Sequence, residues 1–117
     1  MSNIPFQIID WNNIPKKEYL GETGVANWQT LLFAGLRVRM VEYHAGYVAD
    51  HWCQKGHIVH CLEGEFTTEQ ETGEKFTLTK GMTYIVSDDL SSHRSIAHTF
   101  AKLMIIDGDF LKLNSTI

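Results

Sequence analysis

The sequence contains no long hydrophobic run, because its apolar stretches extend over only a few residues. A helix that spans a bilayer needs roughly 18 such residues, so we expect no membrane span. Residues 1–10 lack the basic start and the long apolar core of a secretory signal. A basic cluster is also missing: the 10 Lys and Arg are scattered against 14 Asp and Glu, for a net charge of −4. We therefore expect neither nucleic acid nor an anionic membrane surface as a partner.

Cysteine is scarce, with only Cys53 and Cys61 in the chain. A disulfide needs two Cα atoms within about 7 Å of each other. The strand pairing predicted below places Cys61 too far along its strand from Cys53 for that bond. Two unpaired thiols are typical of a reducing compartment, so we expect a cytoplasmic protein. For Cys61 we expect the role of a small buried apolar side chain.

The rest of the composition predicts one globular domain, because the 117 residues are 44% hydrophobic and 21% charged. Turn signals recur about every eight to twelve residues, which favours an all-β sandwich or barrel with little or no helix. The predicted strands cover residues 31–43, 48–53, 57–62, 66–70, 75–79, 82–87, 93–97 and 102–107. A short last strand is also expected at residues 110–113.

His51, Cys53 and His57 are spaced so that a β-hairpin would gather them on one face. His51 and Cys53 are two residues apart in a predicted strand, so their side chains point the same way. Residues 54–56 are predicted to form a three-residue loop, which would set Cys53 opposite His57 with Cβ atoms roughly 4.5–5.5 Å apart. Two imidazoles and a thiol at that distance suit a soft-to-borderline divalent metal. His93, after another glycine-led strand, is the candidate fourth ligand.

The same residues resemble the first motif of the cupins, a family of small jelly-roll β-barrels. That motif consists of a glycine, a His-x-His pair, a glutamate and a second glycine. In this sequence Gly46 leads, His51 and Cys53 occupy the His-x-His pair, His57 stands at the glutamate position and Gly64 closes the motif.

The second cupin motif is matched less fully. It contains a glycine, a proline, a further glycine and a histidine. Gly81 and His93 match its ends, whereas Ser87 and Asp89 stand near the proline and the inner glycine. Residues 50–53, Asp-His-Trp-Cys, also resemble a group of cupins named for an Asp-His-Cys-Trp motif. The resemblance implies a single cupin domain over residues 1–117, with a core barrel at about residues 31–107 and an N-terminal arm at residues 1–30.

By this resemblance, His51, Cys53, His57 and His93 would hold a divalent transition metal inside the barrel. Metal-binding cupins usually present three histidines and one glutamate, so here a thiolate replaces the carboxylate. The softer sulfur ligand shifts the preference from manganese toward zinc, iron, copper or nickel. In the alternative interpretation, the same side chains hydrogen-bond one another through a water and line a pocket without a metal.

Three functions remain open at this stage. The resemblance implies a metalloenzyme of the dioxygenase or isomerase type that acts on a small molecule. A non-catalytic module that binds or senses a metal or a small ligand is the alternative. A redox role for Cys53 is the third, because imidazoles lower the pKa of a neighbouring thiol.

Other residues carry expectations about surfaces. Arg37 and Arg39 alternate with apolar residues, so we expect them on a solvated sheet face, with an anionic substrate inside the barrel as the alternative. Asp107 and Asp109 flank Gly108 and are interpreted as turn residues. The strand at residues 57–62 has apolar side chains on both faces. Both faces of such a strand must be shielded from water, one by another sheet and the other by a second subunit, which predicts a homodimer.

Overall fold

A computed structural model describes residues 3–112 of the chain. Within that range the chain forms nine β-strands and two single-turn 3-10 segments, at Trp11–Asn13 and Asp109–Leu111. The strands are β1 (Lys17–Leu20), β2 (Val25–Phe33), β3 (Leu36–Tyr43), β4 (Tyr47–Val48), β5 (His57–Gln70), β6 (Lys75–Thr79), β7 (Thr83–Val86), β8 (His93–Ala97) and β9 (Ala101–Gly108). The predicted all-β fold with little helix is confirmed. No helix in this part of the chain has the length and apolar character needed to cross a membrane.

All strand pairs are antiparallel, and the strands follow the order β1-β2-β3-β9-β5-β8-β4, with β6 and β7 also pairing with β5. The first half of β5 pairs with β7 and β9, and its second half pairs with β6 and β8. One long strand therefore belongs to two sheets. The sheets curl around a shared interior, because β5 crosses from one to the other.

The crossing point in β5 is a bulge where the pairing with β9 shifts between Cys61 and Glu63. Gly64 follows it with φ +69°, and a Cβ at that position would run into the carbonyl oxygen of Phe100. The prediction of two separate strands, at residues 57–62 and 66–70, is therefore wrong. A bulge bends a strand without ending it, so β5 stays continuous over 14 residues.

The inward face of the sheet is apolar at one end and polar at the other. Val59, Cys61 and Leu103 are almost fully buried, and Cys61 lies opposite Leu103 in the pairing of β5 with β9. The expected burial of Cys61 is confirmed. Because side chains alternate along a strand, the same inward face continues to His57 on β5 and to Asp107 on β9. This polar end of the interior is where the candidate site lies.

The predicted strands of the first half of the chain need correction. Residues 31–43 are not one strand, because a turn at residues 34–35 separates β2 from β3. Residues 17–33, assigned mostly to an N-terminal arm, form β1 and β2, and Ala26 of β2 is fully buried. The sheet thus begins before residue 31. Residues 109–111 form a 3-10 turn instead of a strand, and residue 113 lies outside the described residues.

The predicted hairpin about residues 54–56 does not form. β4 ends at Val48, and its pairing with β8 would bring residue 51 opposite His93. Instead Cys53 pairs with His93, with backbone N···O distances of 2.7 and 3.0 Å in the two directions. Residues 50–52 therefore bulge away from β8. The alternation of the predicted strand is lost within this bulge, and with it the shared face of His51 and Cys53.

Candidate metal centre

Cys53, His57 and His93 converge at the polar end of the interior. One side-chain nitrogen or sulfur atom from each lies within 4.8 Å of the others. The Sγ of Cys53 lies 3.6 Å from Nε2 of His57, and the two imidazole rings meet edge to face with centroids 5.4 Å apart. Both histidines are buried, whereas Cys53 is partly exposed. The structure thus brings together three of the four residues predicted from the sequence.

The fourth predicted ligand, His51, does not join the cluster. Its side chain is 74% exposed, and its Nδ1 lies 2.7 Å from Oδ1 of Asp50. Because a carboxylate only accepts, His51 donates this hydrogen bond. The cause is the bulge at residues 50–52, which turns His51 out to the mouth of the cavity described below. The expectation that all four side chains share one inner chamber is therefore wrong for His51.

His57 is held by a buried carboxylate that the sequence analysis did not identify. The Nδ1 of His57 lies 3.0 Å from Oδ2 of Asp107, whose side chain is 1% exposed. Asp107 was expected to be a turn residue, but it lies inside β9 and directly opposite Arg37 on β3. Arg37 donates two hydrogen bonds of 3.0 Å to its oxygens, and Arg39 donates a third of the same length.

These contacts fix the charge of Asp107 and the tautomer of His57. Burial alone would raise the pKa of Asp107, but hydrogen bonds from His57 and Arg37 and the charge of Arg39 hold it well below its usual range. A permanently ionised carboxylate accepts the Nδ1 proton of His57. The Nε2 atom of His57 is thereby directed at Cys53, which is the orientation that a second-sphere carboxylate gives a metal-binding histidine.

The Nδ1 atom of His93, like that of His57, has a hydrogen-bond acceptor, which in this case is a serine hydroxyl. The hydroxyl of Ser91 donates to Oε1 of Gln70 at 2.6 Å, so its single proton is committed. Ser91 Oγ, 3.1 Å from Nδ1 of His93, must therefore accept a proton from that nitrogen. The lone pair of His93 is then on Nε2. That atom is buried and has no hydrogen-bond partner among residues 3–112.

Cys53 carries the negative charge of the cluster. Burial raises the pKa of its thiol, but the hydrogen bond from His57 and the charge of that imidazole outweigh burial and lower the pKa from 9.0 to about 5. The pKa of His57 is raised despite burial, through Asp107 and Cys53. The metal-free site therefore favours a thiolate at Cys53 beside a protonated His57. A transition metal that displaces the Nε2 proton would meet one thiolate and two imidazole nitrogens.

A cavity of about 240 Å³ opens beside the cluster. Its walls contain Cys53, His57 and His93, and His51 lies at its edge. Four aromatic side chains also line it, namely Trp28, Tyr43, Tyr47 and Tyr84. The expectation that Arg37 and Arg39 face solvent is wrong, because both line this cavity and Arg39 is only 4% exposed. Their period-two spacing was the available signal, since it matched the inward face of the strand.

The fold is that of several cupins of known structure, whereas no protein-family profile and no curated protein matches the sequence. Ectoine synthase from P. lautus matches 93% of this chain and 80% of its own, with a TM-score of 0.71 and 20% identity. An RmlC-like cupin from Shewanella frigidimarina matches 89% of this chain and 91% of its own, with a TM-score of 0.70 and 20% identity. A sugar phosphate isomerase of the cupin superfamily from Silicibacter pomeroyi matches 88% and 76%, with a TM-score of 0.72 and 14% identity. The chain therefore has the fold of a small cupin, as the sequence resemblance predicted.

Proposed function

We propose that the protein is a metal-dependent enzyme of small-molecule metabolism, in which Cys53, His57 and His93 hold a divalent transition metal. The observation that carries the proposal is the Nε2 atom of His93. A buried nitrogen without a partner costs free energy, so its persistence needs an explanation. A metal between this atom, the Cys53 sulfur and the His57 nitrogen would satisfy it.

The donor set favours zinc, iron, copper or nickel over magnesium, calcium or manganese, because it combines a thiolate with two imidazoles and has no carboxylate. Three protein ligands leave a coordination position open in a zinc-type site, as in catalytic centres. The adjoining cavity of about 240 Å³ supplies room for a substrate at that position. This combination favours catalysis over a closed structural site.

The metal, when bound, would polarise an oxygen atom of the substrate. The chain's own residues would position and isolate that substrate. Asp107 and Ser91 fix the two imidazoles, and the aromatic walls supply flat surfaces on which a substrate can pack. Between the isomerase and dioxygenase types of reaction, we propose that the isomerase type is tested first, because one neighbour in fold is a sugar phosphate isomerase by name.

Elemental analysis of protein purified without a metal-affinity tag tests whether the site binds a metal. We expect about one transition-metal ion per chain in the parent, and its loss in Cys53→Ser, His57→Ala and His93→Ala. His51→Ala is the matched control, because His51 lies outside the cluster and should leave the metal content unchanged. A parent protein that binds no metal, even after incubation with zinc, iron, copper and nickel salts, would exclude the proposal.

A non-catalytic metal-binding or sensing module is distinguished by its open position. In cobalt-substituted protein, a small exogenous ligand such as azide should change the visible absorption spectrum if a position is open. An unchanged spectrum would favour the closed site of a binding or sensing module.

A redox function of Cys53 is a second candidate, favoured by the chain of contacts from Cys53 through His57 to Asp107, with distances of 3.6 and 3.0 Å. In metal-free protein, hydrogen peroxide should convert the Cys53 thiolate to a sulfenic acid that dimedone traps, while buried Cys61 stays unmodified. Rapid trapping at Cys53 combined with an absence of metal would favour this function over the first.

We also propose a cytoplasmic homodimer. The outward face of the sheet carries Ile58 beside Ile85 and Ile106, and the Ile85 side chain is 67% exposed. Uncovered branched aliphatic residues side by side favour contact with a second copy. Sedimentation equilibrium should give the mass of a dimer at micromolar concentration, and Ile85→Lys should give a monomer. A parent that sediments as a monomer would exclude the dimer.

A further inference from the structure

The charged residues that line the cavity beside the cluster are arginines. The chain has three arginines, Arg37, Arg39 and Arg94, and all of them line this cavity, whereas none of its lysines does. No aspartate or glutamate is among the lining residues. Arg94 is engaged outside the cavity by Glu69 and Glu22. Arg37 and Arg39 share a single carboxylate, Asp107, so one positive charge of this pair is uncompensated.

The Arg39 guanidinium has donors to spare. It is held between the indole ring of Trp28, at 4.5 Å, and the Asp107 oxygen that accepts its Nη2 proton. Its Nε atom is buried and has no hydrogen-bond partner among the described residues. The Arg37 side chain is 30% exposed, so part of its guanidinium is accessible. A fixed, partly unsatisfied guanidinium pair recognises a planar anion, because the fork of N–H donors matches the two oxygens of a carboxylate.

We infer that the substrate of this site is a small carboxylate, with its anionic end on Arg37 and Arg39 and its body between the aromatic walls. The inference rests on the proposed function, since it names the substrate class of the same cavity. A cavity volume of about 240 Å³ accommodates a small organic acid. The Arg pair lies on the far side of His57 from Cys53, so the anion and the metal ligands occupy different parts of the cavity.

Benzoate and its uncharged isostere benzamide are suitable probes, because they share a planar aromatic body and differ in charge. Binding is measured by ligand-observed NMR on protein stripped of metal with a chelator, since a metal would itself attract the carboxylate. We expect benzoate to bind at least tenfold more tightly than benzamide. Equal binding of the two probes, or binding of neither, would overturn the inference.

Variants of the two arginines test whether the carboxylate of benzoate binds to them. Arg37→Gln should weaken benzoate binding about tenfold and leave benzamide unchanged. Lys80→Gln removes the same charge from an exposed turn and should change neither. Arg39→Gln should weaken benzoate binding further, and thermal unfolding establishes that each variant is folded. If Arg37→Gln is folded but binds benzoate like the parent, the anion does not lie on this pair.

The two proposals fail separately. Metal content decides the metal centre and is measured on the parent without benzoate. Benzoate binding decides the anion site and is measured without metal. If the parent contains metal but binds benzoate no better than benzamide, the metal centre is supported and the carboxylate substrate is excluded. If the parent binds no metal but prefers benzoate, and Arg37→Gln removes that preference, the carboxylate site is supported and the metal centre is excluded.

Discussion

The Nδ1 atom of His57 lies 3.0 Å from Oδ2 of Asp107, which is also bound by two arginines. This carboxylate, on β9, therefore connects β5, which begins at His57, with β3, which carries both arginines. It has two functions in the fold. It orients an imidazole toward Cys53, and it compensates guanidinium charge that would otherwise be buried alone.

Asp107→Asn should lower the free energy of unfolding by roughly 3 kcal/mol or more, because it leaves the nearly buried Arg39 without its counter-ion. Asp109→Asn is the matched control. Asp109 is 67% exposed and pairs with Lys112, so its replacement should change stability by less than about 0.5 kcal/mol. Urea denaturation of the metal-free proteins measures both. Equal losses in the two variants would contradict the role assigned to Asp107.

Ser91→Ala should weaken metal binding by about tenfold without removing a ligand, because Nδ1 of His93 loses the acceptor that fixes its tautomer. Ser92→Ala is the control: this neighbouring hydroxyl contacts Glu71 and not His93. Competition with a chromophoric zinc chelator measures the two affinities. If both serine variants bind zinc like the parent, Ser91 does not set the tautomer of His93.

The sequence was sufficient for the fold because alternation and turn spacing are local signals. Residues 75–79 and 93–97 were predicted with the bounds that β6 and β8 have. The junctions were not predictable in the same way. A bulge after Cys61 keeps β5 continuous where the glycine and glutamates of residues 63–65 resemble a turn. Long-range pairing with β9 decides between these outcomes, and no local pattern contains it.

The site was predicted in part for a similar reason. Cys53 and His93 were identified as partners in one cluster, but the contact between them arises from a pairing with β8 that local spacing did not indicate. His51 was misplaced because a bulge at residues 50–52 breaks the alternation. Asp107 was missed because its role depends on the register of β9 with β3, which places it opposite Arg37.

Stability of the metal-free protein should fall as the pH drops from about 6.5 to about 5. In this window the folded protein keeps Cys53 as a thiolate, with its pKa lowered from 9.0 to about 5, whereas the unfolded chain holds that proton. His57 is protonated in both states near the lower end, because its pKa is raised above 6.5 by folding. The unfolded state thus binds one more proton, and stability rises with pH there.

Just above pH 6.5 the two shifts oppose each other, because the pKa of His57 is raised by folding and the pKa of Cys53 is lowered. There the folded protein holds a His57 proton that the unfolded chain loses, and lacks the Cys53 proton that the unfolded chain holds. Stability should therefore rise less steeply with pH just above 6.5 than below it. In Cys53→Ser the decrease below pH 6.5 should be reduced, whereas Cys61→Ala should retain it, because the pKa of Cys61 is raised. If Cys53→Ser has the same pH profile of stability as the parent, Cys53 is not a thiolate in the folded protein in this pH range.

Gly64→Ala should destabilise the protein more than Gly73→Ala, although both glycines have positive φ, of +69° and +102°. Each alanine carries the cost of an unfavourable backbone conformation, about 1–2 kcal/mol. Only at Gly64 does the new Cβ also meet backbone, the carbonyl oxygen of Phe100, while the space around Gly73 is open. We expect a loss of roughly 3 kcal/mol or more for Gly64→Ala. Urea denaturation measures both variants, and equal losses would mean that the bend of β5 can relax around a side chain. A tight bend matters for the site, because the half of β5 before it carries His57 and the half after it pairs with His93.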